Sequence, residues 1–302
     1  MQKKVAAACF LGLIIAADTL VVGIVVEKEQ RARGWARQHP IYIGGAFNMA
    51  DLGSPNASGW AEVRDYGARL HVHPVGWRGQ WDVIGPVVCP NFKSRYFLYE
   101  YDIVDPRTGI NNSEEIAKME SFNMTCEAAF CNFDGREMLN NRTQLVADFT
   151  SMVAAPLHQD GIFFYFTFSP VATPEIIQRT GELFRGQYWI DVAKDCGADG
   201  IGLDFPLSYW HDSTFSKNLV QFIRDAREND LPVILLDSIT SQADIEELAV
   251  MTKGLAFADA LPDAWNMNQW HGDQYHLAPA RDVNGDPAGT VTGAALWLYE
   301  NL

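Results

Sequence analysis

Three apolar stretches of the chain, each of strand length, carry an aspartate at or near their end. They are Gly200–Asp204, Val233–Asp237 and residues 255–261, which contain Asp259, with Asp263 following in the next loop. If each stretch is a strand of one parallel barrel, their carboxyl ends bring these side chains to a single rim. Such a rim suits acid–base or nucleophilic chemistry, because one carboxylate can stay ionised while another holds a proton. The candidate catalytic residues are Asp204, Asp237, Asp259 and Asp263.

Aromatic and polar side chains near the ends of these and earlier strands could bind a substrate. The candidate substrate-binding residues are Asn48, His71, His73, Trp77, Tyr209, Trp210, Trp265 and Trp270. Carboxylates between aromatic walls favour glycoside hydrolysis, since apolar walls raise the pKa of the acid and flat rings stack on sugars. Asp204 would then be nucleophile or base and Asp263 or Asp259 the acid. Asp237 would adjust the local charge or bind a hydroxyl group.

A metal site is the second chemistry that these residue types allow. His71 and His73 are two apart on a predicted strand, so both point to one face. With an aspartate and a further histidine they would form the ligand shell of a metal-dependent hydrolase. The pair lies on the second predicted strand rather than the first, and no HExxH helix accompanies it. We therefore predict no metal and no cofactor, and keep the metal-dependent hydrolase as an alternative.

The elements that must position these residues alternate along the chain. Strands are predicted at 41–47, 70–75, 162–168, 200–205, 232–237 and 255–261, and helices at 60–68, 174–196, 216–229, 242–251 and 290–302. Continuous apolar strands separated by helices are typical of a parallel sheet covered on both faces. No GxGxxG or GxxxxGK[ST] motif follows a strand, which removes the usual nucleotide-binding reason for an open sheet. The pattern predicts an α/β fold, a single (β/α)8 TIM-type barrel domain over residues 37–302.

Residues 78–150 fit this alternation poorly. They contain the apolar run 95–104, a turn signal at Asp105–Gly109 and two helical patches. We interpret the region as an insertion that carries a β-hairpin and helices over one end of the barrel, where such insertions often shape a substrate site.

The first 26 residues predict export. Lys3 and Lys4 precede an apolar run from Val5 to Val26. A charged start followed by an apolar segment is typical of a secretory signal peptide, and the run is also long enough to serve as an N-terminal membrane anchor. Both interpretations place the body of the protein outside the cytoplasm, as a secreted, periplasmic or membrane-anchored protein.

Charge and composition limit the partners. The chain of 302 residues has 23 Lys and Arg against 38 Asp and Glu, a net charge of −15, and 12% aromatic residues. Nucleic acids and anionic membrane surfaces need basic patches, so neither is an expected partner of the folded body. Aromatic residues without a basic patch suit a neutral ligand, and the expected partner is a carbohydrate.

One segment resembles known barrel glycosidases. Gly197–Asp204, with the sequence Gly-Ala-Asp-Gly-Ile-Gly-Leu-Asp, is similar to the "GxDGxxLD" strand of endo-α-1,4-polygalactosaminidase-like proteins, and its surroundings resemble α-galactosidase-like enzymes. The resemblance covers about residues 185–265, and Leu203 stands where α-galactosidases usually have a lysine. It implies an exported glycoside hydrolase with Asp204 as the catalytic carboxylate. The alternative from another class is a non-catalytic glycan-binding or assembly protein on the same scaffold.

Overall fold

Eight parallel strands close into a barrel in which each strand pairs with the next and the last pairs with the first. The computed structural model describes residues 34–43, 72–76, 95–101, 103, 111–133, 135–169, 186–268 and 281–302. The strands are β1 (Ile41–Ile43), β2 (Val72–Gly76), β3 (Tyr96–Glu100), β4 (Thr125–Phe133), β5 (Phe163–Phe168), β6 (Gly200–Asp204), β7 (Val233–Ser238) and β8 (Ala264–Asn268). The predicted (β/α)8 barrel is confirmed.

Helices surround the barrel. They are α1 (Asn112–Ser121), α2 (Gly135–Phe149), α3 (Ala155–Gln159), α4 (Gly186–Asp195), α5 (Ser213–Glu228), α6 (Gln242–Phe257) and α7 (Val291–Asn301). A π-helical turn at Thr150–Ala154 joins α2 to α3, whose second residue, Pro156, has no N–H for the helical ladder. Side-chain caps fix several helix starts, among them Asp212 before α5 and a capping box at Ser241 and Asp244 before α6.

Where the structure describes the side chains of the strands, they alternate between two cores. The outer core packs strands against helices and contains, for example, Phe166 and Leu235. A smaller cluster fills the barrel interior and includes Tyr42, Leu98, Phe130, Tyr165, Ile234 and Leu236. Glycine is needed on the inner face of β6, because a Cβ at Gly200 would lie 2.6 Å from the Tyr165 ring and one at Gly202 would lie 2.5 Å from a Thr167 methyl group. Large neighbours thus occupy the space beside β6.

Two predicted elements need correction. The region 78–150, interpreted as an insertion with a hairpin, supplies β3 and β4 of the barrel, and these strands pair in parallel. The stretch 255–261 is not a strand, because α6 continues to Phe257 and β8 begins only at Ala264. Leu255 is buried on the inner side of α6 while Phe257 is 57% exposed. A short apolar run at a helix end cannot be distinguished from a strand by its periodicity.

Other predictions lie outside the described residues. These are the leader 1–26 and the candidate residues Asn48, His71, Trp77 and Trp270. Among the helices that the structure describes, none combines the length and the apolar character needed to cross a bilayer.

Candidate active site

Asp204 lies at the carboxyl end of the barrel and faces the interior. It is the last residue of β6 and only 3% exposed. Its neighbours Ile201 and Leu203 belong to the outer core, so alternation directs Asp204 inward. In register, Asp204 lies beside Leu236 of β7, a member of the interior cluster. The Asp204 carboxylate therefore lies where the apolar interior of the barrel meets its carboxyl end.

Three further polar side chains face inward near this end. Thr167 of β5 donates its hydroxyl to the Cys131 carbonyl, at 3.1 Å. Ser238 ends β7, and its buried Oγ has no hydrogen-bond partner within the described part of the chain. Asn266 of β8 is 0% exposed, and neither atom of its amide has a partner there. Buried polar groups in native proteins are normally satisfied, so each unsatisfied one needs an explanation, such as an ordered water or a functional role.

Glu100 adds a second carboxylate. It ends β3 and is half-buried. Phe97, Tyr99 and Tyr101 lie in the outer core and Leu98 in the interior cluster, so alternation places Glu100 on the inner face.

The chain turns sharply after Asp204. Phe205 has φ 57° and ψ 35°, a left-handed conformation that is uncommon for a bulky residue, and its N–H donates to the Leu236 carbonyl at 2.7 Å. A 3-10 turn, Pro206–Tyr209, follows. Such backbone strain persists only where surrounding contacts enforce it, and it often occurs at functional sites.

Asp237 is one of those enforcing contacts. It is 1% exposed but lies on the outer face of β7, between Leu236 and Ser238 of the inner face. Its carboxylate accepts the Leu207 N–H at 2.9 Å and the Trp265 indole N–H at 2.9 Å. Burial raises the pKa of Asp237 to about 6, although the two donors act to lower it. The predicted catalytic residue Asp237 thus anchors the turn behind Asp204 and does not face the barrel interior.

Asp259 and Asp263 lie at the opposite end of the barrel. Asp263 precedes β8, and its carboxylate accepts the N–H of Val233, the first residue of β7, at 2.8 Å. Asp259 lies in the turn after α6 with φ 53°. From Val233 to Asp237 the strand rises roughly 13 Å, whereas glycosidase carboxyl pairs are about 5–9.5 Å apart. The expected pairing of either residue with Asp204 is therefore corrected.

The predicted aromatic walls also belong to other surfaces. Trp265 is buried in the outer core, edge-on to Trp35. Trp210 covers Gly254 of α6, where a Cβ would lie 2.5 Å from its ring. Tyr209 packs against Phe215 of α5 with ring centroids 5.5 Å apart. Tyr209 and Trp210 thus attach the loop after β6 to the surrounding helices, whereas Trp77 and Trp270 lie outside the described residues.

His73 and His211 lie on different segments of the chain. His73 lies in β2, in register with Tyr42 of β1. His211 pairs with Glu247 of α6 at 2.5 Å. No lysine or arginine lies on any of the eight strands. Within the described ranges, no group of three His, Cys, Asp or Glu side chains is placed to hold a metal ion.

Sequence reasoning singled out Asp204 as a candidate but did not consider Thr167, Ser238, Asn266 and Glu100, which the structure places near it or on the inner face. A usable signal was present in β8, where Ala264–Asn268 has asparagine at alternate positions between apolar residues, as expected of a strand with a polar inner face. The misplaced strand at 255–261 concealed it.

Comparisons with known proteins concern the barrel alone. No family model and no curated protein matches the chain. A fructose-bisphosphate aldolase from Slackia heliotrinireducens DSM 20476 shares 13% identity at a TM-score of 0.48, over 82% of this chain and 79% of that one. A putative deoxyribose-phosphate aldolase from Toxoplasma gondii ME49 shares 11% at 0.46, over 92% and 98%. An archaeal fructose-1,6-bisphosphate aldolase shares 12% at 0.45, over 91% and 99%.

These similarities correct the resemblance drawn from residues 185–265. The three solved structures named above are aldolases rather than α-galactosidase-like or polygalactosaminidase-like enzymes, and the predicted glycoside hydrolase is contradicted. The separation of Asp204 from Asp259 and Asp263 agrees with that correction. At such identities the shared feature is the fold, and a shared fold does not carry an activity with it. The chain is a (β/α)8 barrel with one buried polar end.

Proposed function

We propose that this protein is an enzyme that abstracts a proton next to the carbonyl group of a small neutral substrate, as isomerases and carbon–carbon lyases do, with Asp204 as the base. The observation that carries the proposal is the position of Asp204, a buried carboxylate facing the interior at the carboxyl end of β6. Active sites of barrel enzymes lie at this end. The apolar interior cluster lies beneath it.

The step balances within the substrate and this side chain. The Asp204 carboxylate takes the proton, and the electron pair of the C–H bond moves into the carbonyl group to give an enolate. The negative charge then develops on the carbonyl oxygen, where a hydrogen-bond donor stabilises it. Ser238, on the neighbouring strand with its Oγ unsatisfied, is positioned to donate. Return of the proton gives back the substrate or an isomer.

The two described segments that follow β6 and β7 suit a neutral substrate. The segments that follow β6 and β7, residues 205–212 and 239–242, contain no lysine or arginine. Recognition of a phosphate usually uses such side chains or a helix N-terminus. The archaeal aldolase similar in fold is described with a catalytic lysine bound to its substrate. We assign the proton transfer to the Asp204 carboxylate rather than to a lysine.

Proton exchange tests the proposal directly. Purified protein is incubated in D2O with a panel of neutral hydroxyaldehydes and hydroxyketones, and loss of the proton next to the carbonyl is followed by ¹H NMR. The wild type should catalyse exchange on at least one compound, and Asp204→Asn should lower the rate by about 10²-fold or more.

Asp230→Asn is the matched control. Asp230 is exposed, follows α5 and has φ 59°, a conformation that asparagine also adopts. The Asp230→Asn variant should catalyse exchange of the substrate proton at the wild-type rate. Exchange by Asp204→Asn at the wild-type rate, or its absence from the wild type across the panel, would contradict the proposal.

A further inference from the structure

Asn266 has an unusual position for an amide side chain. It lies in the middle of β8 with 0% exposure, and both its Nδ2 and its Oδ1 are buried without a hydrogen-bond partner in the described structure. Leaving a donor and an acceptor unsatisfied in a protein interior costs free energy, so native proteins rarely do so without a reason.

The side chain faces the interior near Asp204. Trp265 and Met267 lie in the outer core and Ala264 in the interior cluster, so alternation directs Asn266 inward. Asp204 pairs in register with Leu236, and Leu236 with Asn266. The two polar residues thus stand at one level, two strands apart, with backbones about 10 Å from each other. The Leu236 side chain, a member of the interior cluster, lies between them.

We propose that Asn266 binds the adjacent carbonyl and hydroxyl groups of a 2-hydroxycarbonyl compound. Its N–H donates to the carbonyl oxygen, and its Oδ1 accepts from the neighbouring hydroxyl. This assignment rests on the proposed function and names its substrate class. A primary amide offers one donor and one acceptor side by side, and a 2-hydroxycarbonyl offers the complement. A compound that lacks either group leaves half of the buried amide unsatisfied and binds more weakly.

The test compares two probes that differ by one hydroxyl group. Binding of hydroxyacetone and of acetone is titrated by saturation-transfer difference NMR. The wild type should bind hydroxyacetone at least about tenfold more tightly, which corresponds to one well-formed buried hydrogen bond. Asn266→Val, which removes both polar groups, should lose this preference. Asn266→Ala should lose it as well, and supplies the answer if the valine variant does not fold.

Thermal unfolding distinguishes a ligand-binding role from a structural one. If the amide is unsatisfied without ligand, Asn266→Val should keep or raise Tm in ligand-free protein, by up to about 2–4 °C. A role in holding the barrel together would instead make Tm fall. A preserved preference for hydroxyacetone in both variants, or a Tm lowered by several degrees in Asn266→Val, would overturn the assignment.

Asp204→Asn separates this assignment from the proposed function. It should keep the preference for hydroxyacetone while losing proton exchange. If it keeps both, the catalytic role fails and the binding role of Asn266 stands. If the Asn266 variants keep the preference while Asp204→Asn loses exchange, only the present inference fails.

Discussion

Polar side chains at the two ends of the barrel differ in whether they have hydrogen-bond partners. At the amino end, Asp263 accepts the Val233 N–H, and Asp199 accepts the Phe164 N–H at 2.8 Å together with a contact to His158 at 2.9 Å. At the carboxyl end, the buried polar atoms of Ser238 and Asn266 find no partner in the described structure. Asp237 also binds backbone near the carboxyl end, but from the outer face of β7, whereas Ser238 and Asn266 face the interior.

The amino-end pattern occurs twice. Asp199 precedes β6 and holds the start of β5, and Asp263 precedes β8 and holds the start of β7. We call each of these contacts a clasp. In both, the aspartate before one strand accepts a backbone N–H near the beginning of the preceding strand.

Replacing one aspartate at each end by asparagine should reduce activity in one case and stability in the other, and this is the largest expected effect. Asp204→Asn should reduce proton exchange by about 10²-fold or more with little change in stability. Asp263→Asn should retain exchange but lower the free energy of unfolding by about 1–3 kcal/mol, because it weakens a charge-assisted hydrogen bond to backbone. Exchange rates and urea denaturation of both variants check the pair. If each variant lost both proton exchange and stability, the aspartates at the two ends would not differ in their roles.

Asp237 should make stability depend on pH. Burial is the main cause that raises its pKa from 3.8 to about 6, and nearby Asp244 adds to it. Between these values the folded state binds more protons than the unfolded state, so this group's contribution to stability falls as pH rises. The decrease is up to about 3 kcal/mol between pH 4 and pH 7.

The measurement for Asp237 is denaturation across that pH range. Asp237→Asn should be less stable overall, since an amide cannot accept from both donors, but the part of the pH dependence due to this residue should vanish. The same pH slope in wild type and variant would show that Asp237 does not titrate there.

Gly202→Ala should test how tightly the barrel interior is packed between its two ends. The new Cβ would lie 2.5 Å from a Thr167 methyl group and 2.6 Å from one of Ile234. Overpacking of this kind costs about 1–3 kcal/mol. Gly161→Ala is a control that meets no atom within 4 Å and acts only through its φ of 71°. Urea denaturation of the two variants separates crowding from backbone strain, and equal costs would argue against a filled interior.

Arg227→Gln should have the smallest effect. Arg227 contacts the Asp263 carboxylate at 3.2 Å from the exposed side of α5. Exposed pairs contribute about 0–1 kcal/mol, so the clasp should survive on the Val233 N–H alone. A loss as large as that of Asp263→Asn would assign the clasp to the ion pair instead.

The sequence predicted the barrel because parallel strands buried on both faces read as continuous apolar runs. The same property concealed which residues face inward. Val233–Ser238 has valine, isoleucine and leucine on both faces, so nothing in its pattern shows that Asp237 points outward. In β6 the paired glycines mark the inner face, and Asp204 follows in the same alternation.

Strand ends proved harder to predict than strands. β8 was misplaced because the apolar end of α6 resembles a strand, while Ala264–Asn268 carries two asparagines and does not. β3 was assigned to an insertion because residues 78–150 lack the even alternation found later in the chain. Asp259 and Asp263 were assigned to the wrong end of the barrel for the same reason. The strand predicted at 255–261 placed them at its carboxyl end, whereas both precede the first residue of β8.

The clasps also bear on how the barrel assembles. Each one joins neighbouring strands directly, without the helix between them, so β5 with β6 and β7 with β8 form units larger than a single strand and helix. Their amide protons, at Phe164 and Val233, should be exposed only when such a unit opens. Native-state hydrogen exchange would then show these two amides opening with their whole strand pairs rather than fraying from the strand starts.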